Sequence, residues 1–310
     1  MIPKGSVIVN TYNSATHVAS CLGGLRNQPD WERIIIDNGS EDNTVECVRL
    51  ADPDARLVVN AANRGFAAAV NQGVGIAQGQ IILLLNPDTT PSPGALDKIS
   101  EVLRANRVGA ASGALLRPDG GLDIGFMVRR LPTLGAMLAE ILLLNRLWPR
   151  NPWNRTYRCL DLDYSVPQEV EQPAAACLGF QRAAWEDIGG FDETFYPVWF
   201  EDVDFCRRLR DRDWKLTYRP DAVFLHTGGH SVNRLPFRER QVYWYRNLLR
   251  YFKKHHSART TWVLRLAIGA GLVLRSFAAL LGFREVGVRE ALRGYSQVLL
   301  KVCLGDQNNR

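Results

Sequence analysis

What most constrains this chain is a regular alternation between Ser6 and Leu85, where short apolar runs trade places with stretches of helical character. Val7–Asn10, Arg33–Asp37, Leu57–Asn60 and Ile81–Leu85 read as strands. Ala15–Arg26, Ser40–Ala51 and Phe66–Ala77 read as helices, the second opening with Glu41 and Asp42, acids that suit a helix N-terminus. Continuously apolar strands separated by helices require both sheet faces to be covered, which makes the sheet parallel and the class α/β. Ligands of such sheets bind at the carboxyl ends of the strands. Asp37 and Asn86-Pro87-Asp88 fall immediately after strands, at that edge.

Beyond Pro118 the pattern loosens. Leu131–Trp148 is apolar and bracketed by Pro132 and Pro149, which predicts a helix, and Asn151–Arg155 reads as a polar and aromatic loop. Regularity returns over Ala174–Arg182, and Ala183–Ile188 reads as a helix, then a turn at Gly189–Asp192, a helix over Asp202–Arg212 and a strand at Leu216–Tyr218. From Gln241 the chain is helical and basic. This organisation suggests a domain over 1–240 in two halves, 1–117 and 118–240, which the family resemblance given below implies to be the nucleotide-binding and acceptor halves of a catalytic domain, followed by a basic, amphipathic helical region over 241–310.

The formal net charge of +6 is concentrated between Arg234 and Arg265, where Glu239 is the lone acid. Such a face attracts anions, or is simply solvated. Neither a recognition helix nor an aromatic stacking platform accompanies it, so nucleic acid is not expected as a partner. Ala258–Phe283 is strongly apolar, yet Arg265 and Arg275 interrupt the ~20 uncharged residues that a spanning helix needs. Two placements suit it: lying in a membrane interface, or packing as a core hairpin. The six cysteines form no C-x-x-C pair, so reduced thiols in a cytoplasmic protein are expected rather than zinc or disulfides. No signal peptide is expected ahead of a strand that begins at Ser6.

The chemistry-bearing residues fall in five places. Asn10-Thr11-Tyr12-Asn13 forms a loop beside Asp37, whose carboxylate can accept from a nucleotide base or ribose, or can cap the turn at Asn38-Gly39-Ser40. Asn63-Arg64-Gly65 opens a helix of small residues; Gly65 allows close backbone approach and Arg64 can meet a phosphate, or the segment is a tightly packed helix start. Asp88 can hold a divalent cation against a diphosphate, or close a turn. Glu201, Asp202 and Asp204 crowd three carboxylates into four residues between Phe200 and Phe205, a setting that raises at least one pKa and supplies a general base, with Glu201 or Asp202 in the first helical turn. The bland reading is a set of acids facing a helix dipole. His226 can complete a metal site with Asp88, whereas His230 reads as a loop residue. Gly228 and Gly229 rule out a helical zinc face, and phosphate-loop and nucleophile-elbow motifs are absent.

In this order, Val7 to Asn13, Ile36 to Ser40, Asn63 to Asn71, Asn86 to Asp88, Gly189 to Glu193, Glu201 to Asp204 and His226 resemble the family 2 glycosyltransferases of the GT-A fold, in their bacterial rhamnosyltransferase-like branch. The resemblance runs from Ser6 to His256. It implies a GT-A nucleotide-diphospho-sugar transferase fold, with a mostly parallel central sheet flanked by helices and a helical C-terminal extension. It also implies roles: Asp37 contacts the base with Asn10, Thr11, Tyr12, Asn13 and Asn38 beside it; Asn63, Arg64, Gly65 and Asn86 meet the donor; Asp88 and His226 bind Mg2+ or Mn2+; and Asp202, next to Glu201, is the general base. Asn86 stands where the metal motif of the family usually begins with aspartate. The implied reaction is inverting transfer from dTDP-rhamnose to a lipid-linked or cell-surface glycan at the inner face of the cytoplasmic membrane, with peripheral contact through 131–148 and 258–283. Donors of the UDP-hexose or UDP-N-acetylhexosamine type, and a noncatalytic sugar- or nucleotide-binding module, are the alternatives.

Overall fold

The computed structural model describes residues 3–26, 28–228, 235–283 and 286–305. The chain divides into two compact units. The first, 3–131 with 162–197 and 201–231, is an α/β fold. Its strands are β1 (Gly5–Thr11), β2 (Trp31–Asp37), β3 (Arg56–Val59), β4 (Ile81–Leu85), β5 (Thr89–Pro91), β6 (Val108–Leu116), β7 (Val128–Arg129), β8 (Gln168–Glu169), β9 (Gln172–Pro173), β10 (Cys177–Gln181) and β11 (Lys215–His226). Its helices are α1 (Val18–Arg26), α2 (Thr44–Ala51), α3 (Phe66–Ile76) and α4 (Ala95–Leu103), and, after the second unit's insertion, α8 (Arg182–Ile188) and α9 (Glu201–Arg210). The other unit holds α5 (Leu134–Ile141), α6 (Leu144–Leu147), α7 (Pro152–Tyr157), α10 (Phe237–His255), α11 (Ala258–Leu280) and α12 (Val288–Val298), with a π-helical turn at Leu299–Leu304.

The main sheet runs β3-β2-β1-β4-β10-β6-β11-β5, with β8 on the flank of β11; β7 and β9 form a separate pair. β3, β2, β1 and β4 are mutually parallel, as their apolar runs require. β10 then enters antiparallel between β4 and β6, and β11 returns parallel to β6. Every residue of β1 and β4 is buried. α3 lies close over this half because its buried side is Ala67, Ala68 and Ala69, and a Cβ at Gly73 would stand 2.7 Å from Cγ2 of Ile8.

Several elements differ from their expected extents. α1 begins at Val18 and α2 at Thr44. Residues 40–42 are drawn out of α2 because their amides are engaged elsewhere: Ser40 by Asp37, and Glu41 and Asp42 by Asn13. The apolar run from Leu131 to Trp148 forms two helices, broken where Leu143 adopts a φ of 62°. Asn151–Arg155 is not a loop: Asn151 caps α7 by accepting from the Asn154 amide, with Pro152 in the first turn. The short strand expected at Leu216–Tyr218 is the 12-residue β11, bent at an irregularity between Arg219 and Val223.

Candidate active site

The strand register lines the carboxyl ends of β2, β1 and β4 side by side, Asn10 opposite Ile36, Thr11 opposite Asp37, and Val9 opposite Leu85. The loops that follow carry the expected donor-side residues. Asp37 is fully buried. Its Oδ1 accepts from the hydroxyls of Thr11 (2.9 Å) and Ser40 (2.6 Å), and its Oδ2 from the Ser40 amide (3.0 Å). The carboxylate thus pins the turn after β2, the capping role that its position also allowed. Asn13, at a φ of 51°, stitches the neighbouring loops: its amide donates to Ser40 Oγ, and its side-chain oxygen accepts from the amides of Glu41 and Asp42. Asn10 keeps a buried Oδ1 with no hydrogen-bond partner, and Tyr12 is half-buried.

Asn38 organises the approach to α3. Its Nδ2 donates to Asn63 Oδ1 (2.9 Å) and to the Gly65 carbonyl (3.2 Å), while its Oδ1 accepts from the Arg64 amide (3.0 Å) and from Asn60 Nδ2 (3.2 Å). Asn63 therefore shapes the loop and leaves the Arg64 side chain exposed. Gly65, at a φ of 86°, lets the ring of Tyr196 approach; a Cβ there would sit 2.8 Å from Tyr196 Cδ2.

The segments that carry Asp88 and Asp202 are both bonded to the two residues before β10. The Ala176 carbonyl accepts from the Asn86 amide (3.1 Å), and the Ala175 amide donates to Asp202 Oδ2 (3.2 Å). Asn86-Pro87-Asp88 and Asp202 are thus neighbours despite 114 positions between Asp88 and Asp202. Gln172 Nε2 also donates to Asp202 Oδ2, and the Val203 amide to Oδ1. Burial pushes the Asp202 carboxyl above its ordinary pKa, opposed by these amides and by the Arg129 charge. Burial, reinforced by the Asp202 charge, pushes Glu201 well above the usual carboxylate range, and its buried Oε2 has no hydrogen-bond partner. Asp204 serves structure: fully buried, it accepts from Arg208 Nε (2.7 Å), whose other nitrogens donate to the carbonyls of Ile188 and Gly190.

His226 ends β11 beside β5, so its imidazole is delivered to the residues just before β5. Nε2 faces Asp88 Oδ1 across 3.7 Å. Asp88 Oδ1 and His226 Nδ1 are both buried without a hydrogen-bond partner. Asp88 Oδ1, buried and unsatisfied, and the His226 Nε2 that faces it fit a divalent cation whose other ligands are diphosphate oxygens and water, the usual pattern for Mg2+ and Mn2+ in nucleotide sites. Among the described residues no group of three His, Cys, Asp or Glu side chains could hold a metal by itself, consistent with Asn86 in place of a carboxylate. His230 lies outside the described residues.

Residues that sequence reasoning missed complete this region: Gln172 and Ala175 on Asp202, and the turn carrying Asp123, Phe126 and Arg129. Their positions follow from tertiary pairing, and no local pattern marks them.

The sheet order and its flanking helices make the first unit an α/β fold of the GT-A type. Residues 6–181 match the family model for glycosyl transferase family 2, and the chain belongs to that family. It is 31% identical, over 96% of its length and 97% of the relative's, to the N-acetylglucosaminyl-diphospho-decaprenol L-rhamnosyltransferase of Mycobacterium tuberculosis. It is 28% identical over 73% of its length, and 67% of the relative's, to the glycosyltransferase AglE of Haloferax volcanii. The fold is shared with a mannosyltransferase of Pyrobaculum calidifontis in complex with GDP-mannose and Mn2+ (TM-score 0.57, 18% identity, 97% of this chain and 88% of that one). TarS of S. aureus has the same fold (TM-score 0.50, 15% identity, 98% and 92%).

Proposed function

We propose that this glycosyltransferase inverts the anomeric centre of dTDP-rhamnose as it moves the sugar to N-acetylglucosamine carried on a polyprenyl diphosphate. The observation that carries the reading is the near full-length likeness, at 31% identity, to a rhamnosyltransferase named for a GlcNAc-diphospho-decaprenol acceptor.

In this reading Asp202 takes the proton from the acceptor hydroxyl as that oxygen forms its bond to the anomeric carbon and the bond to the nucleoside diphosphate breaks. Burial raises the affinity of Asp202 for that proton, and the amides of Ala175 and Val203 fix its orientation. Asp88 and His226 would hold Mg2+ or Mn2+, which supplies positive charge to the departing diphosphate. The nucleotide lies along the ends of β1 and β2, where Asn10 Oδ1 lacks a partner and Asn38 and Asn63 set the loop. Asp37 reaches the nucleotide either directly or through the turn it pins.

The acceptor lipid places the reaction at the cytoplasmic membrane face, and the solvent-facing apolar side of α11 supports that location. The test offers the full chain dTDP-rhamnose, UDP-glucose, UDP-N-acetylglucosamine and GDP-mannose in turn, with Mn2+ and a short polyprenyl-diphosphate GlcNAc, and reads products by mass spectrometry. Transfer from dTDP-rhamnose alone is expected. Transfer from a UDP-sugar with none from dTDP-rhamnose overturns the donor assignment.

A further inference from the structure

The turn over residues 123–127 grips His226 from two directions. The Asp123 amide donates to the Leu115 carbonyl, and its own carbonyl accepts from the amides of Phe126 and Met127, which fixes the turn against β6. From that turn Phe126 stacks on the imidazole, ring centres 4.9 Å apart and planes 9° from parallel. Asp123 Oδ2 stands 3.4 Å from His226 Nδ1, the nitrogen turned away from Asp88. At that distance Nδ1 is without a formed hydrogen bond, and the Asp123 side chain is 24% exposed. The face of the ring is thus set by an aromatic, one edge by Asp123 and the other by Asp88.

An imidazole that binds a cation through one nitrogen carries its proton on the other, and a carboxylate at that second nitrogen fixes the tautomer and raises ligand basicity. We propose that Asp123 is a positioning residue: it accepts the Nδ1 proton of His226 and so holds the Nε2 lone pair toward Asp88 for a divalent cation. This rests on the reading of Asp88 and His226 as the metal ligands. Phe126 prevents the ring from turning out of that plane. Arg129 ties the turn from its far side, donating from Nε to the Gly125 carbonyl (2.7 Å), and its charge acts on Asp202.

The experiment titrates Mn2+ into the full chain with dTDP or UDP and reads nucleotide affinity calorimetrically, with metal-free affinity as reference. For D123A, the Mn2+ concentration giving half-maximal tightening should rise about 10–100-fold, while metal-free nucleotide affinity and melting temperature stay as in wild type. D123N keeps an acceptor oxygen and should lose only several-fold; should D123A not fold, D123N decides alone. Wild-type Mn2+ dependence in the folded Asp123 variants, alongside a loss in D88N and H226A, overturns the positioning role and leaves the metal reading standing. If D88N and H226A also respond to Mn2+ like wild type, or if wild type shows no tightening, the metal reading fails and this proposal with it.

Discussion

Glu201 and Asp202 are adjacent, both are displaced upward in pKa by burial, and their surroundings still separate them. Asp202 has three N–H donors on its carboxylate; Glu201 has a buried oxygen with none and the Asp202 charge beside it. Asp202 is therefore the group that ionises first and can serve as a base, while Glu201 is held toward its neutral form. Asp202→Asn is expected to lower kcat about 10²–10⁴-fold. Protection of the variant against thermal unfolding by donor should persist, because binding to the folded state raises the melting temperature whether or not transfer follows. Full turnover in that variant rejects the assignment. Glu201 gives a prediction with the opposite sense for stability. A carboxyl whose folded pKa is raised contributes stability below its unfolded pKa, and that contribution is lost as pH rises through the folded value. Glu201→Gln removes the ionisation, so its melting temperature should exceed wild type at and above neutral pH. The two proteins should converge below about pH 4, where the unfolded glutamate is protonated too. Parallel melting curves across the whole pH range would show that Glu201 ionises without penalty.

At the scale of elements, Arg208 joins α9 to the end of α8 while pairing with Asp204 on its own helix. Asp204 has no exposed surface, and Arg208 both neutralises it and bonds the carbonyls that end α8. Arg208→Ala removes the neighbouring cation from a buried carboxylate and should cost about 3–5 kcal/mol by denaturant unfolding, whereas replacing both partners with apolar residues should cost much less. The β1–β4 half was legible because its strands are unbroken apolar runs, and the same rule put Asp37 and Asp88 at the ligand edge. β6 was not legible: Val-Gly-Ala-Ala-Ser-Gly-Ala-Leu-Leu carries small residues for packing reasons, Gly109 against Trp214 and Gly113 against β11, where a Cβ would meet the Ala222 carbonyl at 2.0 Å. β11 was cut short in the reading because Pro220 and charged neighbours mark the irregularity that lets the strand resume and deliver His226. α7 was misread although Asn-Pro is itself a helix-start signal. Gln172, Asp123 and Phe126 reach the site only through pairings between distant segments, which no local period encodes.

At the scale of the whole molecule, the C-terminal helices raise the question of where the enzyme works. α11 is long and apolar enough to cross a bilayer by length and composition, but a third of its most apolar window is buried within the protein. One side packs inward through Leu264, Ile268, Gly271 and Leu272; Gly271 lies so close to α5 that a Cβ would meet the Ile141 carbonyl at 2.5 Å, and Arg275 donates to the Glu140 carbonyl. The opposite side exposes Trp262, Leu266, Val273, Phe277 and Leu280, each more than half accessible. Their spacing of three, four and seven residues keeps them on one face. One face therefore belongs to a helical core, as one of the two expected placements has it, and the other is a solvent-facing apolar stripe with Arg259 exposed near its start. Full-length protein should sediment with vesicles containing anionic phosphatidylglycerol, and raised salt should weaken but not abolish the association, since burial of the stripe is insensitive to screening. Trp262→Ser with Phe277→Ser removes two large anchors from solvent-facing positions, so folding stability should change little. Vesicle affinity should fall at least tenfold, with turnover of a short-chain soluble acceptor unchanged. Equal sedimentation of wild type and double variant would mean that the stripe does not meet the lipid, and that the acceptor reaches the site by another surface.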